Sequence, residues 1–130
     1  MPPTKPLILL VDDFEDATDI YSTYLRHCGY PVDCAASGPE ALAAARKQRP
    51  GLILLDIRMP DMTGTEVMRT LRSDPEFRTV PIVALTAHAL DDERQDALSA
   101  GFDAVVAKPC LPDELLAFIE QLLTDWKPGA

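Results

Sequence analysis

The sequence predicts an α/β domain with a doubly wound, five-stranded parallel sheet and five helices on its two faces. Short apolar runs, typical of strands buried on both sides, alternate along the chain with segments whose apolar residues have helical spacing. Strict alternation implies parallel strands joined by helical crossovers. Crossovers are right-handed, so helices cover both faces only if the winding reverses once, which gives the strand order 2-1-3-4-5.

Length and composition favour one small domain. A chain of 130 residues can form a single core and is too short for a second domain of normal size, so residues 1–130 are taken as one domain. Met1 to Thr4 lack the features of a signal peptide, and no apolar run approaches the ~20 residues of a membrane span. We therefore expect a cytoplasmic protein that does not enter the membrane.

Charge and cysteine content restrict the partners. The net charge of -9 opposes binding to nucleic acid and to anionic lipid, so a protein or a small ion is the expected partner. Cys28, Cys34 and Cys110 are odd in number and form no CxxC pair. This pattern argues against disulfides and against a zinc site, and it predicts free thiols in a reducing compartment.

The first half of the chain supplies three strands. Leu7 to Val11 form the first, followed by a helix that Gly29 ends and whose sheet-facing residues are expected to be Ala17, Ile20, Tyr21, Tyr24, Leu25 and Cys28. Pro31 to Ala35 form the second strand. Ser37 and Glu40 form a capping box for a helix that carries Ala41, Leu42 and Ala45. Leu52 to Asp56 form the third strand, which is apolar until it ends in a carboxylate.

The second half repeats the pattern twice. A helix from about Thr65 to Ser73 is followed by a predicted surface loop over residues 74–79 and by a fourth strand from Pro81 to Thr86. A helix with an acidic start spans Leu90 to Ala100. The fifth strand, Ala104 to Ala107, leads to Lys108, and the last helix spans about Pro112 to Trp126 behind Leu111, a poor N-cap residue.

Four strands end in groups that can carry chemistry, namely Asp12 with Asp13, Asp56, Thr86 and Lys108. In open parallel sheets, ligands bind beyond the carboxyl ends of the strands, so these side chains are expected to converge. Each has a plainer interpretation. The acidic pair could cap a helix, Asp56 could open a turn, Thr86 could cap the next turn and Lys108 could form an ordinary salt bridge.

The chemistry of a converged set points to phosphoryl transfer. Three adjacent carboxylates repel one another unless a cation lies among them, and hard oxygen ligands suit Mg²⁺ or Mn²⁺. Lys108 and the Thr86 hydroxyl could then contact the oxygens of a phosphoryl group. Asp56, on the central strand, is the candidate nucleophile.

The set of motifs resembles the receiver domain of two-component response regulators. The matching stretches are Val11-Asp12-Asp13, Leu55-Asp56-Ile57-Arg58-Met59-Pro60 with Gly64, Leu85-Thr86-Ala87 and Lys108-Pro109. The resemblance covers nearly the whole chain and implies the flavodoxin-like, chemotaxis-receiver-like form of the predicted fold. It implies a signalling protein that catalyses its own phosphorylation and dephosphorylation and is not a turnover enzyme on other substrates.

The resemblance also implies roles for individual residues. Asp56 would take a phosphoryl group from a phosphohistidine on a sensor histidine kinase or a histidine phosphotransfer protein. Asp13, Asp56 and the backbone carbonyl of Arg58 would bind Mg²⁺ directly, with Asp12 acting largely through water. Thr86 would donate to one phosphoryl oxygen and Lys108 would pair with another, and the bond from Lys108 to Pro109 would be cis. A downstream protein would bind the face formed by helix 4, strand 5 and helix 5.

Several positions depart from the usual pattern of receivers. Val105 stands where an aromatic residue often couples the site to the surface, and Cys110 stands where phenylalanine is frequent. Arg58 and His88 occupy positions that tune hydrolysis in the family. The run from Thr86 to Ala89 resembles receivers attached to hybrid kinases, so the chain could act alone or within a larger protein.

Two other functions stay open at this level. A phosphatase with an aspartyl nucleophile would carry a second aspartate two residues after the first, where this chain has Arg58. A constitutive interaction module with a vestigial site is the other alternative; the departure at Val105 keeps it open, whereas the intact set of Asp12, Asp13, Asp56, Thr86 and Lys108 argues against it.

Overall fold

The computed structural model describes residues 5–59, 62–87, 91–108 and 110–125. Its strands are β1 (Ile8–Val11), β2 (Val32–Ala35), β3 (Leu52–Asp56), β4 (Ile82–Thr86) and β5 (Ala104–Ala107). Its helices are α1 (Glu15–His27), α2 (Gly38–Gln48), α3 (Gly64–Arg72), α4 (Asp91–Ala100) and α5 (Pro112–Asp125), with a short 3-10 helix at Pro75–Phe77. Strands and helices therefore alternate as the sequence predicts.

The five strands form one parallel sheet in the order β2-β1-β3-β4-β5, which confirms the predicted topology. The winding reverses between β1 and β3, so these two strands are neighbours although α1, β2 and α2 separate them in the chain. Val11 lies opposite Leu55 in this pair. Asp12 and Asp56 each follow directly, and they come out side by side at the carboxyl edge of the sheet.

The core consists of two apolar clusters, one on each face of the sheet. Leu9, Val11, Ile53 and Leu55 belong to the cluster that also contains residues of α2, α3 and α4. The alternate strand residues belong to the cluster that α1 and α5 cover, and they are Ile8, Leu10, Leu52 and Leu54. Successive side chains of a strand point to opposite faces, which is why β1 is apolar throughout and β3 is apolar up to Asp56.

Local hydrogen bonds fix the starts of two helices. The Ser37 hydroxyl accepts from the Glu40 amide at 3.3 Å, and the Glu40 carboxylate accepts from the Ala36 amide at 2.9 Å, so the predicted capping box is present, with its carboxylate bound one residue before the cap residue. At α5 the Glu114 carboxylate accepts from the Leu111 amide at 3.2 Å. This bond satisfies one amide at a helix start whose cap residue has no acceptor side chain.

The predicted buried face of α1 is wrong at Ile20, which is 58% exposed. The buried residues of α1 are Thr18, Tyr21, Ser22 and Leu25. Small hydroxyl side chains can occupy this face because they bond within the helix, as the Thr18 hydroxyl does by donating to the Glu15 carbonyl at 2.8 Å. Apolar spacing predicts that Ile20 faces the core, but Thr18 and Ser22 occupy the inner positions instead.

The predicted surface loop over residues 74–79 is also wrong in part. Its centre is the 3-10 helix, and Phe77 is only 1% exposed within the core. The Arg72 guanidinium donates to the carbonyls of Phe77 and Val80, both at 2.8 Å, and pairs with Asp103. The residues on both sides of Phe77 are polar or turn-forming, so the sequence does not indicate that Phe77 is buried.

Within the described ranges, no helix is both long enough and apolar enough to cross a membrane. The expectations that concerned Met1 to Thr4, His88, the bond from Lys108 to Pro109, and Trp126 lie outside the described residues.

Candidate functional site

Three carboxylates meet at the carboxyl edge of the sheet, beyond β1 and β3. Asp12 is 1% exposed, Asp56 is 7% exposed and Asp13 is exposed to solvent. One oxygen from each lies within 4.8 Å of the others. The structure thus brings together the three acids that the sequence singled out, with two of them buried and the third at the open side.

Asp12 is held from two directions. Its Oδ1 accepts from the Phe14 amide at 2.9 Å, at the start of α1, and its Oδ2 forms a short ion pair with the Lys108 ammonium. The capping interpretation of Asp12 is therefore partly right, since one oxygen does bind an amide at a helix start. The other oxygen faces the site.

Lys108 reaches the acids from the end of β5. Its Nζ lies 3.5 Å from Asp56 Oδ2, and its amide donates to the Thr86 carbonyl at 2.8 Å. Burial alone would lower the pKa of Lys108, but the hydrogen bond to Asp12 and the charge of Asp56 outweigh burial and raise the pKa. Lys108 is consequently a permanent ammonium group that contacts both buried acids.

Asp56 has an unusual affinity for protons. Burial raises the pKa of Asp56 from an ordinary 3.8 to about 6, the charge of Lys108 works against this rise, and the charge of Asp12 adds to it. The Arg58 amide donates to Asp56 Oδ1 at 3.1 Å, which fixes one carboxylate oxygen and leaves Oδ2 toward Lys108. A second positive charge at this site would favour the ionised form.

Thr86 and Arg58 border the carboxylates. Thr86 ends β4 with a buried side chain, one residue beyond Leu85, which is the sheet partner of Asp56. Arg58 is exposed and contacts the site through its backbone. Both side chains line a cavity of about 380 Å³ that extends between α3 and α4.

Gly64 makes the turn from β3 to α3 very tight. A Cβ at this position would lie 2.2 Å from the Asp56 carbonyl oxygen and 2.8 Å from the Ile57 Cα, so any other residue would collide with backbone. The Gly64 amide donates to the Ile57 carbonyl at 2.9 Å. The first turn of α3 therefore rests directly on the end of the strand that carries Asp56.

The donor set fits a hard divalent cation. Three carboxylates provide only oxygen ligands, Asp13 stands where water can reach, and the clustered negative charge is only partly balanced by Lys108. These properties suit Mg²⁺ and, by donor type, Mn²⁺.

Sequence reasoning missed one contact behind the site. The Tyr21 hydroxyl on α1 donates to the Cys110 carbonyl at 2.8 Å, in the connection between β5 and α5. The two residues are 89 positions apart, and the helical spacing of Tyr21 indicated only that its ring packs. A buried tyrosine does need a partner for its hydroxyl, but the sequence gives no indication of which one.

Comparisons with known proteins agree with this geometry. Residues 8–120 match the family model described as the response regulator receiver domain. The polar-differentiation response regulator DivK of Brucella anthropi is 32% identical over 118 residues, which cover 91% of this chain and 96% of DivK. Some other relatives are longer, and the chain spans about half of their length.

Solved structures give the same result. The chemotaxis response regulator CheY4 of Vibrio cholerae superimposes with a TM-score of 0.87 at 34% identity, covering 92% of this chain and 99% of that one. The receiver domain of the sensor histidine kinase PA1611 from Pseudomonas aeruginosa gives 0.84 at 36% identity, covering 93% and 99%. The structure of PA1611 is described as having a magnesium ion coordinated in its active-site cleft.

Proposed function

This chain belongs to the family of response regulator receiver domains, and from that premise we propose that Asp56 is its phosphoryl acceptor. Receiver domains are phosphoryl-accepting switches of two-component signalling, not turnover enzymes, and they interact with histidine kinases or phosphotransfer proteins. The observation that carries the proposal is the position of Asp56, a buried carboxylate that lies beside a second buried acid and has the Lys108 ammonium 3.5 Å from its Oδ2.

In the proposed reaction, Oδ2 of ionised Asp56 attacks the phosphorus of a phosphohistidine. The new O–P bond forms as the P–N bond breaks, and the electron pair of the broken bond stays on the imidazole. Lys108 is well placed to pair with one phosphoryl oxygen, since its Nζ lies 3.5 Å from Asp56 Oδ2. The Thr86 hydroxyl, at the end of the neighbouring strand, would donate to another. The chain itself would catalyse both this step and the later hydrolysis.

Asp13, Asp56 and the Arg58 carbonyl would hold Mg²⁺ directly, and Asp12 would hold it largely through water. When bound, the ion would neutralise negative charge on the carboxylates and on the transferred phosphoryl oxygens. Asp12 and Asp56 are already preorganised for this by the amides of Phe14 and Arg58. Asp56, whose pKa of about 6 already leaves it mostly ionised at neutral pH, would also lose its proton more readily.

Three exposed apolar side chains would serve as contacts for the phosphoryl donor. Phe14, Ile20 and Leu111 are large and exposed, and we call them the donor surface. Phe14 directly follows Asp13, and Leu111 follows Lys108 by three residues. Apolar contacts around a charged cleft are typical of a protein partner, so a kinase or phosphotransfer protein would pack here and present its phosphohistidine.

The downstream partner would bind the face formed by α4, β5 and α5. β5 is an edge strand, and Leu98 on α4 is an exposed apolar side chain. The Arg94 guanidinium donates to the Val105 carbonyl at 3.3 Å and so connects α4 to β5. Val105 is buried, and this position has no aromatic side chain. The structural change caused by phosphorylation of Asp56 would therefore pass from Thr86 through the backbone to α4.

Two wider expectations belong to the same proposal. Residues 1–130 would act as a single receiver domain, of which the family match covers residues 8–120. A cytoplasmic location stays a prediction.

The proposal is tested by phosphorylation with acetyl phosphate and Mg²⁺, followed by intact mass measurement. The wild-type protein should gain one phosphoryl group, and removal of divalent metal with EDTA should prevent the gain. Asp56→Asn should gain none, whereas Asp33→Asn, a carboxylate on β2 away from the acids, should behave as wild type. Equal labelling of Asp56→Asn and wild type would disprove the assignment.

A further inference from the structure

The backbone around Lys108 is held on both sides. On the amino side, the Lys108 amide donates to the Thr86 carbonyl at 2.8 Å, which ties it to β4. On the carboxyl side, the Cys110 carbonyl accepts from the Tyr21 hydroxyl at 2.8 Å, which ties the connection to α1. Lys108 has a long, flexible side chain, so the position of its ammonium depends on how firmly this backbone is fixed.

Tyr21 is suited to fixing the loop. Its ring is 8% exposed and packs in the apolar cluster with Leu25, Leu115 and Ile119. A tyrosine has only two side-chain torsions, so a buried ring places its hydroxyl accurately. Burial, and after it the contact with the Cys110 thiol, raises the pKa of Tyr21, so the hydroxyl stays protonated as a donor at neutral pH.

Cys110 is a compatible partner for this contact. Its Sγ lies 3.7 Å from the Tyr21 oxygen, and its small side chain lets the ring approach the backbone. Cys110 is two residues from Lys108, whereas Tyr21 is 89 residues from Cys110 in the chain. The bond is therefore a long-range anchor that acts close to the site without any contact with the acids.

We propose that Tyr21 is a positioning residue for phosphoryl transfer, whose hydroxyl holds the backbone at Cys110, two residues after Lys108, and so holds the ammonium at Asp12 and Asp56. This inference rests on the proposed function.

The test is the rate of phosphorylation by acetyl phosphate in four variants. Tyr21→Phe removes only the hydroxyl, and it should lower the rate constant roughly fivefold, the effect of losing one hydrogen bond. Tyr30→Phe is the matched control, a buried tyrosine at the amino end of β2, and its rate should equal that of wild type. Lys108→Ala and the double variant Tyr21→Phe/Lys108→Ala complete a double-mutant cycle.

Tyr21 acts through Lys108, so its substitution should have no further effect once Lys108 is alanine. The Mg²⁺ affinity of Tyr21→Phe, measured by calorimetry, should not fall, because Lys108 is not a metal ligand and a less firmly held ammonium competes less with the cation for Asp12 and Asp56. An unchanged rate in Tyr21→Phe would overturn the inference. An equal loss in the Lys108→Ala background, or a parallel loss of Mg²⁺ affinity, would overturn it as well by revealing a general structural effect.

The outcomes also separate the inference from the proposed function. Wild type that is labelled at Asp56, together with an unaffected Tyr21→Phe, contradicts only the role of Tyr21. Wild type that takes up no phosphoryl group contradicts both.

Discussion

Replacing Asp56 with asparagine should stabilise the metal-free protein, and the gain should depend on pH. The buried carboxylate has a pKa of about 6 in the folded chain, against 3.8 ordinarily. Between these two values the folded state binds a proton that the unfolded state does not, so the stability of wild type falls as pH rises through this window. Asparagine has the same shape, can accept from the Arg58 amide as Asp56 Oδ1 does, and carries no charge.

The magnitude follows from the pKa. One pKa unit corresponds to about 1.4 kcal/mol, so ionised Asp56 costs the folded state roughly 3 kcal/mol at pH well above 6. At about pH 5 the bound proton already recovers close to half of this cost. The difference in free energy of unfolding between Asp56→Asn and wild type should therefore grow by roughly 1.4 kcal/mol from about pH 5 to about pH 8.

Urea unfolding in the presence of EDTA measures this difference at both pH values. Groups that titrate alike in the two proteins cancel in the comparison, and so do pH-independent effects of the amide. Adding Mg²⁺ at about pH 8 should stabilise wild type more than the variant, because the cation offsets the charge that the variant lacks. A difference in stability that stays constant with pH, or one that shrinks toward pH 8, would refute the electrostatic reasoning.

Two further substitutions test the packing and pairing around this site. Lys108→Met leaves Asp12, which is 1% exposed, without its cationic partner. The free energy of unfolding, measured with urea in the absence of metal, should fall by about 3–5 kcal/mol and should be partly restored by Mg²⁺. An unchanged unfolding midpoint would mean that the pair does not stabilise the fold. Phe77→Ala leaves a cavity in the core and should lower the free energy of unfolding by about 3–5 kcal/mol, whereas Leu111→Ala, at an exposed position, should lower it by less than about 0.5 kcal/mol. Phosphorylation by acetyl phosphate should persist in folded Phe77→Ala. A loss in free energy of unfolding no larger than that of Leu111→Ala would mean that Phe77 is not buried in solution.

The strand order and the meeting of the acids could be predicted because both follow from pattern. Runs such as Leu52 to Leu55 are apolar on both faces, the crossover rule fixes their order, and Asp12 and Asp56 then have to emerge together. The end of each strand can be recognised from the local sequence, and the strand order then shows which of these ends are neighbours in the sheet. This is why four chemistry-bearing positions could be grouped before any distance was known.

The errors concern side chains whose environment is set by polar contacts that apolar spacing does not reveal. Ile20 has the spacing of a core residue, yet Thr18 and Ser22 take the inner positions, since their hydroxyls bond within the helix. Phe77 lies among turn formers, and its burial depends on Arg72 and on the carbonyls it binds. Lys108 lies closer to Asp12 than to Asp56 by about 1 Å, a difference that no rule of sequence spacing contains.

The contact at Gly64 makes the junction of β3 and α3 mechanically stiff. Most neighbouring elements of a fold are separated by side chains, which can change rotamer and absorb small displacements. Here backbone rests on backbone, with no Cβ between the first residue of α3 and the Asp56 carbonyl. A displacement of β3 at Asp56 therefore cannot be absorbed by side-chain rotamer changes at this junction, and α3 moves together with the strand.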